Sequence, residues 1–195
     1  MENGRKDKIL DAATRVFSRK GYRLTDVQEI ADILKVGKGT VYRCFKSKRN
    51  LFTSVIERGM YQLLTKVHQN IKDVVNPLER LRLATQTHIE FFSRNMDLVE
   101  LFIQERSEFR DYFKSLYLKY YPRHIKKVEK TIQECIDKGL IKPINPRGVT
   151  SVLTDLYYGM LFTSYLDGKP NTLQQKGRYI LDVFIQNILR KEANL

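Results

Sequence analysis

The chain has 195 residues, of which 42% are hydrophobic, and its 35 Lys and Arg residues against 22 Asp and Glu give a formal net charge of +13. This apolar content is enough for the core of one domain or two small ones, and it excludes a disordered polymer. No apolar run is long enough for a membrane-spanning helix and no secretory apolar segment follows the first residues, so we expect a cytoplasmic protein that does not contact membranes. The basic charge favours an anionic partner.

Residue types that build metal and redox sites are sparse. Cys44 and Cys135 lie far apart and lack C-x-x-C spacing, so we interpret Cys44 as a small packing residue in a reducing compartment. The histidines, at positions 68, 88 and 124, are isolated from one another and provide no zinc or iron ligand set. We expect neither a metal nor a cofactor.

The first 50 residues predict three short helices. Residues 7–20 place their apolar side chains on one stripe, and Gly21 follows as a left-handed C-terminal cap. The second helix covers residues 26–34, with Thr25 as its N-cap in a capping box with Gln28. A turn of about three residues precedes a third helix built on Val41 and Phe45. This arrangement is the skeleton of a helix-turn-helix over residues 26–45.

Basic residues are concentrated in the same region. Thirteen basic residues against six acidic ones lie in the first 50 positions, which is more than half of the net charge. The exposed side of the third helix and the start of the fourth should present Lys38, Thr40, Tyr42, Arg43, Lys46 and Lys48. Cationic side chains can donate to guanine O6 and N7 or to phosphates, and hydroxyl groups suit phosphate oxygens. A solvated charged face remains the alternative for any one of them.

The segment Gly37–Thr40 superficially resembles the end of a nucleotide-binding phosphate loop. Such a loop needs a glycine five residues before its Gly-Lys pair, where this chain has Asp32, and it needs a preceding strand rather than a helix. The phosphate-loop interpretation therefore fails. Gly39 is better explained as a point where the backbone of a recognition helix comes close to DNA.

The rest of the chain is also predicted to be helical. Ser47 caps a long fourth helix, and further helices are expected at about residues 77–93, 97–106, 109–138, 146–166 and 172–191. Pro122 should kink the 109–138 helix, and Gly139 should end it. The expected fold is all-α with about nine helices, a helix-turn-helix domain at residues 5–50 and a C-terminal domain at residues 51–195.

The N-terminal pattern resembles the tetracycline-repressor (TetR/AcrR) family of bacterial transcription regulators. The matching positions are Ile9-Leu10-Asp11-Ala12-Ala13, Phe17, Gly21-Tyr22, Thr25, Ile30-Ala31, Val36, Lys38-Gly39-Thr40-Val41-Tyr42, Phe45, Ser47-Lys48 and Leu51. The resemblance implies a homodimer that binds a near-palindromic double-stranded operator and usually represses transcription until a small ligand binds the C-terminal domain. The resemblance also implies that the residues in contact with DNA are Thr25, Lys38, Thr40, Tyr42 and Lys48.

The turn departs from the family pattern. Family members usually have Ala-Gly-Val-Ser there, whereas this chain has Leu34-Lys35-Val36-Gly37. The turn glycine is thereby moved, and the usual N-cap serine is lost. We expect Lys35 to face the DNA backbone and the third helix to begin with weaker local capping. If no DNA atom needs the space, a serine at position 37 should stabilise the helix start.

The C-terminal half is rich in aromatic residues, which are either core or the lining of an apolar effector cavity with a few polar anchors. The candidate effector-binding residues are His88, Phe92, Phe102, Arg106, Phe109, Tyr117, Tyr158 and Phe162. A flat aromatic or a long-chain apolar ligand would suit such a cavity. For His88 the alternative, a satisfied core histidine, is the commoner role of a histidine on an inward-facing stripe.

The last two helices carry broad apolar faces, and the family resemblance implies that they meet a second copy as a four-helix bundle. The candidate dimer residues are Val152, Leu156, Gly159, Leu181, Phe184 and Ile188. Two other functions stay open: a DNA-binding dimer controlled by a protein partner, and a helical enzyme that uses His88 and Glu105 as acid and base. We expect the protein not to be an enzyme, because nothing pairs a nucleophile with a base.

Overall fold

The computed structural model describes the backbone of residues 2–108, 110–167 and 170–188, and the side chains of residues 4–104, 122–167 and 172–183. In these ranges every regular element is a helix: α1 Glu2–Leu24, α2 Val27–Ile33, α3 Lys38–Phe45, α4 Lys48–Ile71, α5 Pro77–Arg94, α6 Met96–Glu108, α7 Arg110–Asp137, α8 Pro146–Leu166 and α9 Pro170–Ile188. The all-α prediction is confirmed. None of the described helices combines the length and apolarity needed to cross a bilayer.

The chain divides into two compact units. Unit 1 comprises Met1–Gln62 and Asn95–Phe113, and unit 2 comprises Leu63–Arg94 and Lys114–Leu195. The division differs from the predicted boundary at residue 50, because α6 packs against α1 and therefore belongs to unit 1. A single boundary along the sequence cannot assign α6 to unit 1, because more than 30 residues of unit 2 separate α6 from the rest of unit 1 in the chain.

The core of unit 1 is built on aromatic packing between the first and fourth helices. The ring of Phe17 contacts that of Phe52 edge to face at 5.1 Å, and Tyr22 lies 5.2 Å from Phe52. Both phenylalanines are fully buried. Burial of each contributes about 1.5–3 kcal/mol, and the edge-to-face geometry adds to that. The first helix is thereby fixed as a platform for α2 and α3.

The junction between α1 and α2 corrects one prediction. Thr25 is not the N-cap: it is 3% exposed, and its hydroxyl donates to the Gly21 carbonyl at 2.7 Å. Asp26 caps α2 instead, with its carboxylate accepting from the Gln28 amide at 2.9 Å. Both residue types are good caps. The buried position of the threonine decided between them.

Gly21 interrupts α1 as expected, although its geometry is not that of a helical left-handed cap. Its φ is 79° and its ψ is 164°, so the positive φ that glycine tolerates is present while ψ is extended. An added Cβ would lie 4.0 Å from the side-chain oxygen and nitrogen of Gln104 on α6, an ordinary contact distance, so the positive φ and not a lack of space favours glycine. The break redirects the chain into α2.

In unit 2, α9 packs against α5 and α8. A core cluster of Ile132, Cys135 and Ile141 is covered by partly buried residues that include Leu78, Leu81 and Val128. Gly139 has a φ of 67° and follows the last residue of α7, Asp137, after one intervening residue, which confirms that it ends this helix. Pro122 lies inside α7, and the helix continues on both sides of it.

Candidate nucleic-acid interface and effector region

Helix α3 has one buried side and one open side. Val41 and Phe45 are buried, whereas Arg43 is exposed and Tyr42 is half-buried. The guanidinium of Arg43 donates to the Thr40 hydroxyl at 3.1 Å, which places both polar groups together on the open side. An arginine fork held in this way can donate to a guanine edge or a phosphate.

Both glycines at the start of α3 have free space beside them. A Cβ added at Gly37 or at Gly39 would find no atom within 4 Å. Gly37 is the N-cap and forms no side-chain cap hydrogen bond, which confirms the expected weak capping. The backbone at the first turn is therefore accessible to a partner that approaches closely.

Two lysines with positive φ bracket α3. Lys35 has a φ of 54° in the turn before the helix, and Lys46 has a φ of 60° directly after it. This left-handed region disfavours residues with a Cβ and favours glycine. Both side chains are exposed and make no ion pair or hydrogen bond with any residue that the structure describes. The two lysines thus flank α3 at its two ends.

Lys38 is held by Asp26. Its ammonium lies 2.7 Å from the carboxylate oxygen that also caps α2, so one carboxylate connects the starts of both helices. The Gln28 amide first and Lys38 second hold the pKa of Asp26 below its ordinary value, and the bond to Asp26 raises the pKa of Lys38. Both groups are exposed, so the pair is screened by solvent.

Lys48 is half-buried and makes its contacts within unit 1. Its ammonium donates to the Arg23 carbonyl at 3.1 Å and lies 4.8 Å from the centre of the Tyr22 ring. Partial burial lowers its pKa. A cation over an aromatic ring, hydrogen-bonded to a helix-end carbonyl, ties the start of α4 to the end of α1. Lys48 therefore positions the helix-turn-helix.

In unit 2, two of the three histidines come together. The rings of His88 and His124 are 5.4 Å apart, and Tyr157 lies 6.0 Å from His88. The expectation of isolated histidines is therefore wrong for this pair, because α5 and α7 bring together positions 36 residues apart. The Tyr157 hydroxyl donates to the Thr85 carbonyl at 3.2 Å.

Both imidazoles are neutral at physiological pH. Burial lowers the pKa of His88, and burial together with the neighbouring His88 lowers the pKa of His124 to about 4. Nδ1 of His88 lies 2.8 Å from the Ala84 carbonyl, which only accepts, so Nδ1 carries the proton and Nε2 is left as an acceptor. The cluster thus offers a neutral nitrogen acceptor among aromatic rings.

The other predicted effector residues do not gather around this cluster. Phe92 is a core residue in edge-to-face contact with Phe91, and Phe102 belongs to unit 1. Tyr158 and Phe162 are 44% and 49% exposed, so in the single chain they do not line an enclosed cavity, and their contact with an effector stays a prediction. Arg106, Phe109 and Tyr117, and Glu105 of the enzyme alternative, have side chains outside the described residues.

Helix α8 instead presents an extensive apolar surface to solvent. Its exposed side carries large side chains at helical spacing, and we call it the α8 apolar face: Val152, Leu156, Tyr158, Phe162, Tyr165 and Leu166. Gly159 lies on the same side with no atom within 4 Å of an added Cβ. Leu181 on α9 is half-buried, and the side chains of Phe184 and Ile188 are outside the described residues. In the described part of the chain no three His, Cys, Asp or Glu side chains form a metal-binding group.

Comparison with known families explains the N-terminal arrangement. The family model described as "Bacterial regulatory proteins, tetR family" matches residues 9–55, which run from α1 through α3 into α4. This segment belongs to the TetR family, and the relatives and solved structures described below support a TetR-family regulator. This assignment makes the chain a DNA-binding transcriptional regulator.

Relatives of this TetR-family chain extend the likeness beyond the N-terminal segment. It is 27% identical over 172 residues to the Bacillus subtilis protein described as an uncharacterized HTH-type transcriptional regulator, YhgD, covering 83% of this chain and 85% of that one. A transcriptional regulator of Saccharomonospora viridis in complex with choline superposes with a TM-score of 0.82 at 20% identity, over 97% of this chain and 100% of that one. The Bacillus subtilis regulator FadR in complex with stearoyl-CoA superposes with a TM-score of 0.81 at 21% identity, over 93% and 98% of the two chains. The two structures share the fold of this chain.

Sequence reasoning missed two partners in this TetR-family chain. Asp26 was counted only as an acidic residue, yet it caps α2 and holds Lys38. His124 was set aside, yet it contacts His88. The Thr-Asp pair before an apolar run contained the first signal. The contact between His88 and His124 had only a weak signal, because each histidine lies among inward-facing positions of its helix.

Proposed function

We propose that the chain is a homodimeric repressor that binds a near-palindromic operator through α3 and leaves it when a small hydrophobic or aromatic molecule binds unit 2. The single observation that carries the DNA part is the open side of α3, where Arg43 and Thr40 lie together within the family-matching segment. The net charge of the chain supports an anionic partner.

Each residue around α3 has a role in this proposal. Arg43 contacts a base edge in the major groove, and Thr40 and Tyr42 donate to phosphates. Lys35 and Lys46 contact the backbone on either side of the helix, and their exposed, unpaired ammonium groups support this. Gly39 lets the first turn approach closely. Thr25, Lys38 and Lys48 position the helices, and Lys38 reaches phosphate only by leaving Asp26.

The α8 apolar face is the proposed contact with a second copy. Large apolar side chains with exposures such as 55% for Val152 are costly to leave in water over several turns. The open space at Gly159 allows the two α8 helices to approach closely. In a dimer the two recognition helices would lie about 34 Å apart and meet successive major grooves.

The proposed effector binds in unit 2. Structures that share this fold hold chemically different molecules, stearoyl-CoA in one and choline in the other. The His88, His124 and Tyr157 cluster supports an uncharged or hydrogen-bond-donating group near Nε2 of His88. We propose a mainly apolar effector whose polar end donates to this nitrogen.

The test begins with selection of bound fragments from the organism's own genome, followed by fluorescence anisotropy on the recovered duplex. Arg43→Ala should weaken binding by about 1–3 kcal/mol, roughly 5- to 150-fold. The control Arg15→Ala removes an equally exposed charge from α1 and should stay within about twofold. Affinity should also fall steeply with salt. Failure to bind any recovered duplex, or binding that is insensitive to salt, would refute the proposal.

A further inference from the structure

A groove between α5 and α9 collects arginines far along the sequence from the helix-turn-helix. This α5–α9 groove has a volume of about 330 Å³ and is lined by Arg82, Gln86 and Arg94 from α5, and by Gln174 and Arg178 from α9, with Ile89 in its floor. Its volume lies within the range of small-ligand sites. All of it belongs to unit 2.

The three guanidinium groups are spread along the groove. On α5 the lining residues recur every four positions from Arg82 to Arg94, so these two arginines are about 18 Å apart at 1.5 Å per residue. On α9, the amide of Gln174 donates to the Ser93 hydroxyl on α5 at 3.1 Å, and Gly177 lies against Ile89. Residue numbers therefore rise along α9 while they fall along α5, so the two helices are antiparallel. Arg178 therefore lies opposite the middle of the α5 row.

These arginines differ from those that support the fold. Arg80 donates to the carbonyls of Val74 and Val75 and pairs with Glu134, so its donors are used. By contrast, Arg94 and Arg178 make no ion pair or hydrogen bond with any residue in the described part of the chain. Among the described residues Arg82 pairs only with Glu79, at a long distance of 3.7 Å between exposed groups.

Acidic residues in the groove leave the arginines available. Glu90 lines the groove, but its carboxylate accepts from the Gln86 amide at 3.0 Å. Asp182 also lines it and forms no ion pair of 4.0 Å or less with a described residue. The groove thus combines strong fork donors with carboxylate and amide acceptors.

The spacing of the two helices is fixed by a glycine. A Cβ added at Gly177 would lie 2.5 Å from Cδ1 and 2.8 Å from Cγ1 of Ile89, so α9 reaches its position only because residue 177 has no side chain. Close packing under the groove keeps its walls in place before any ligand arrives. Such preorganisation reduces the entropy cost of binding.

We infer that the α5–α9 groove binds a nucleotide-like phosphoester with at least two phosphate groups. Guanidinium forks match phosphate oxygens in bidentate geometry, and separated arginines favour an extended polyanion over a single inorganic phosphate. The acceptors of Glu90, Asp182 and the two glutamines suit the hydroxyl and amine groups of a nucleoside. This ligand is separate from the operator and from the apolar effector of the proposed function, so either inference can fail alone.

Isothermal titration calorimetry on the full chain without DNA, in phosphate-free buffer, tests this with ADP as the probe. ADP should bind once per chain, and the double variant Arg94→Ala, Arg178→Ala should weaken it at least about 10-fold. The control Arg147→Ala removes an exposed arginine of the same unit that does not line the groove, and it should leave ADP affinity unchanged within about twofold. Pyrophosphate should compete with ADP, and adenosine should not bind measurably.

Four results would overturn the inference. The first two are that ADP does not bind at millimolar concentration, or that the double variant binds ADP as tightly as the control variant does. The other two are that adenosine binds as tightly as ADP, or that the double variant loses affinity for duplex DNA while it keeps its affinity for ADP. Arg94→Lys with Arg178→Lys keeps the charge and removes the forks. It should bind ADP between the parent and the alanine variant, and parent-like affinity would contradict bidentate recognition.

Discussion

Replacement of Lys35 by glycine should stabilise the fold and weaken DNA binding at the same time. Lys35 has a φ of 54°, where a residue with a Cβ is strained by about 1–2 kcal/mol. Glycine removes this strain, but it adds about 0.5–1 kcal/mol of conformational freedom to the unfolded chain. The balance is a gain of about 0.5–1 kcal/mol in the free energy of unfolding.

A matched control separates strain from the general effect of glycine. Arg15→Gly exchanges an exposed cation in the interior of α1 for glycine, and it should cost about 1 kcal/mol because no strain is relieved there. The two variants remove the same charge from the same unit. Their stability changes should therefore have opposite signs.

Two assays read the two effects. Urea denaturation followed by circular dichroism gives the free energy of unfolding, and a thermal scan should show Lys35→Gly melting about 1–4 °C higher than the parent. Anisotropy titrations on the operator at several salt concentrations give the number of phosphate contacts. The slope of log K against log salt should decrease by about 1 for each lost lysine, hence by about 2 for a dimer.

Either assay can refute the reasoning. If Lys35→Gly is destabilised as much as Arg15→Gly, the positive φ imposes no strain on the fold. If Lys35→Gly is stabilised but binds the operator with an unchanged salt slope, Lys35 does not contact the DNA backbone.

Three further changes have expected outcomes. Gly37→Ser should stabilise the protein by about 0.5 kcal/mol in chemical denaturation, since the added Cβ meets nothing within 4 Å and the hydroxyl can cap α3; a loss of stability would contradict this. Gly39→Ala has the same free space and should raise stability by up to about 1 kcal/mol while reducing operator affinity, so unchanged affinity would show that DNA does not approach residue 39 closely. His124 has a pKa of about 4 in the fold against 6.5 in the unfolded chain, so the unfolded chain binds more protons between these two pH values. The free energy of unfolding should therefore fall by up to about 3 kcal/mol as the pH is lowered from 6.5 to 4. His124→Gln should flatten that loss, and equal acid sensitivity of the variant and the parent would count against it.

Helix positions were predictable because local signals agreed with one another. Asn145-Pro146 predicted the start of α8, and the structure has Asn145 as its N-cap with Pro146 as its first residue. Gly139 predicted the end of α7 for the same kind of reason. Signals of this sort act within a few residues, so they need no knowledge of what the helix packs against.

The candidate sites were less predictable, because their geometry depends on contacts between distant residues. The aromatic content of the C-terminal half singled out Tyr158 and Phe162, but composition had no means of deciding whether these side chains are enclosed or face solvent. Lys48 fits the pattern of a DNA-contacting lysine, yet its position over Tyr22 follows from packing of α4 on α1. The pairing of His88 with His124 required the arrangement of α5 and α7.

The ion pair between Lys38 and Asp26 has a consequence for selectivity. When Lys38 moves to a phosphate it displaces a condensed cation from the duplex, but the carboxylate of Asp26 that it leaves attracts a cation in turn, so the net entropic gain is smaller for this residue than for an unpaired lysine. Leaving Asp26 also exposes a negative charge close to the backbone of the duplex. Lys38 would therefore add less to the affinity for random DNA than an unpaired lysine does, which favours duplexes whose sequence aligns the rest of α3 well.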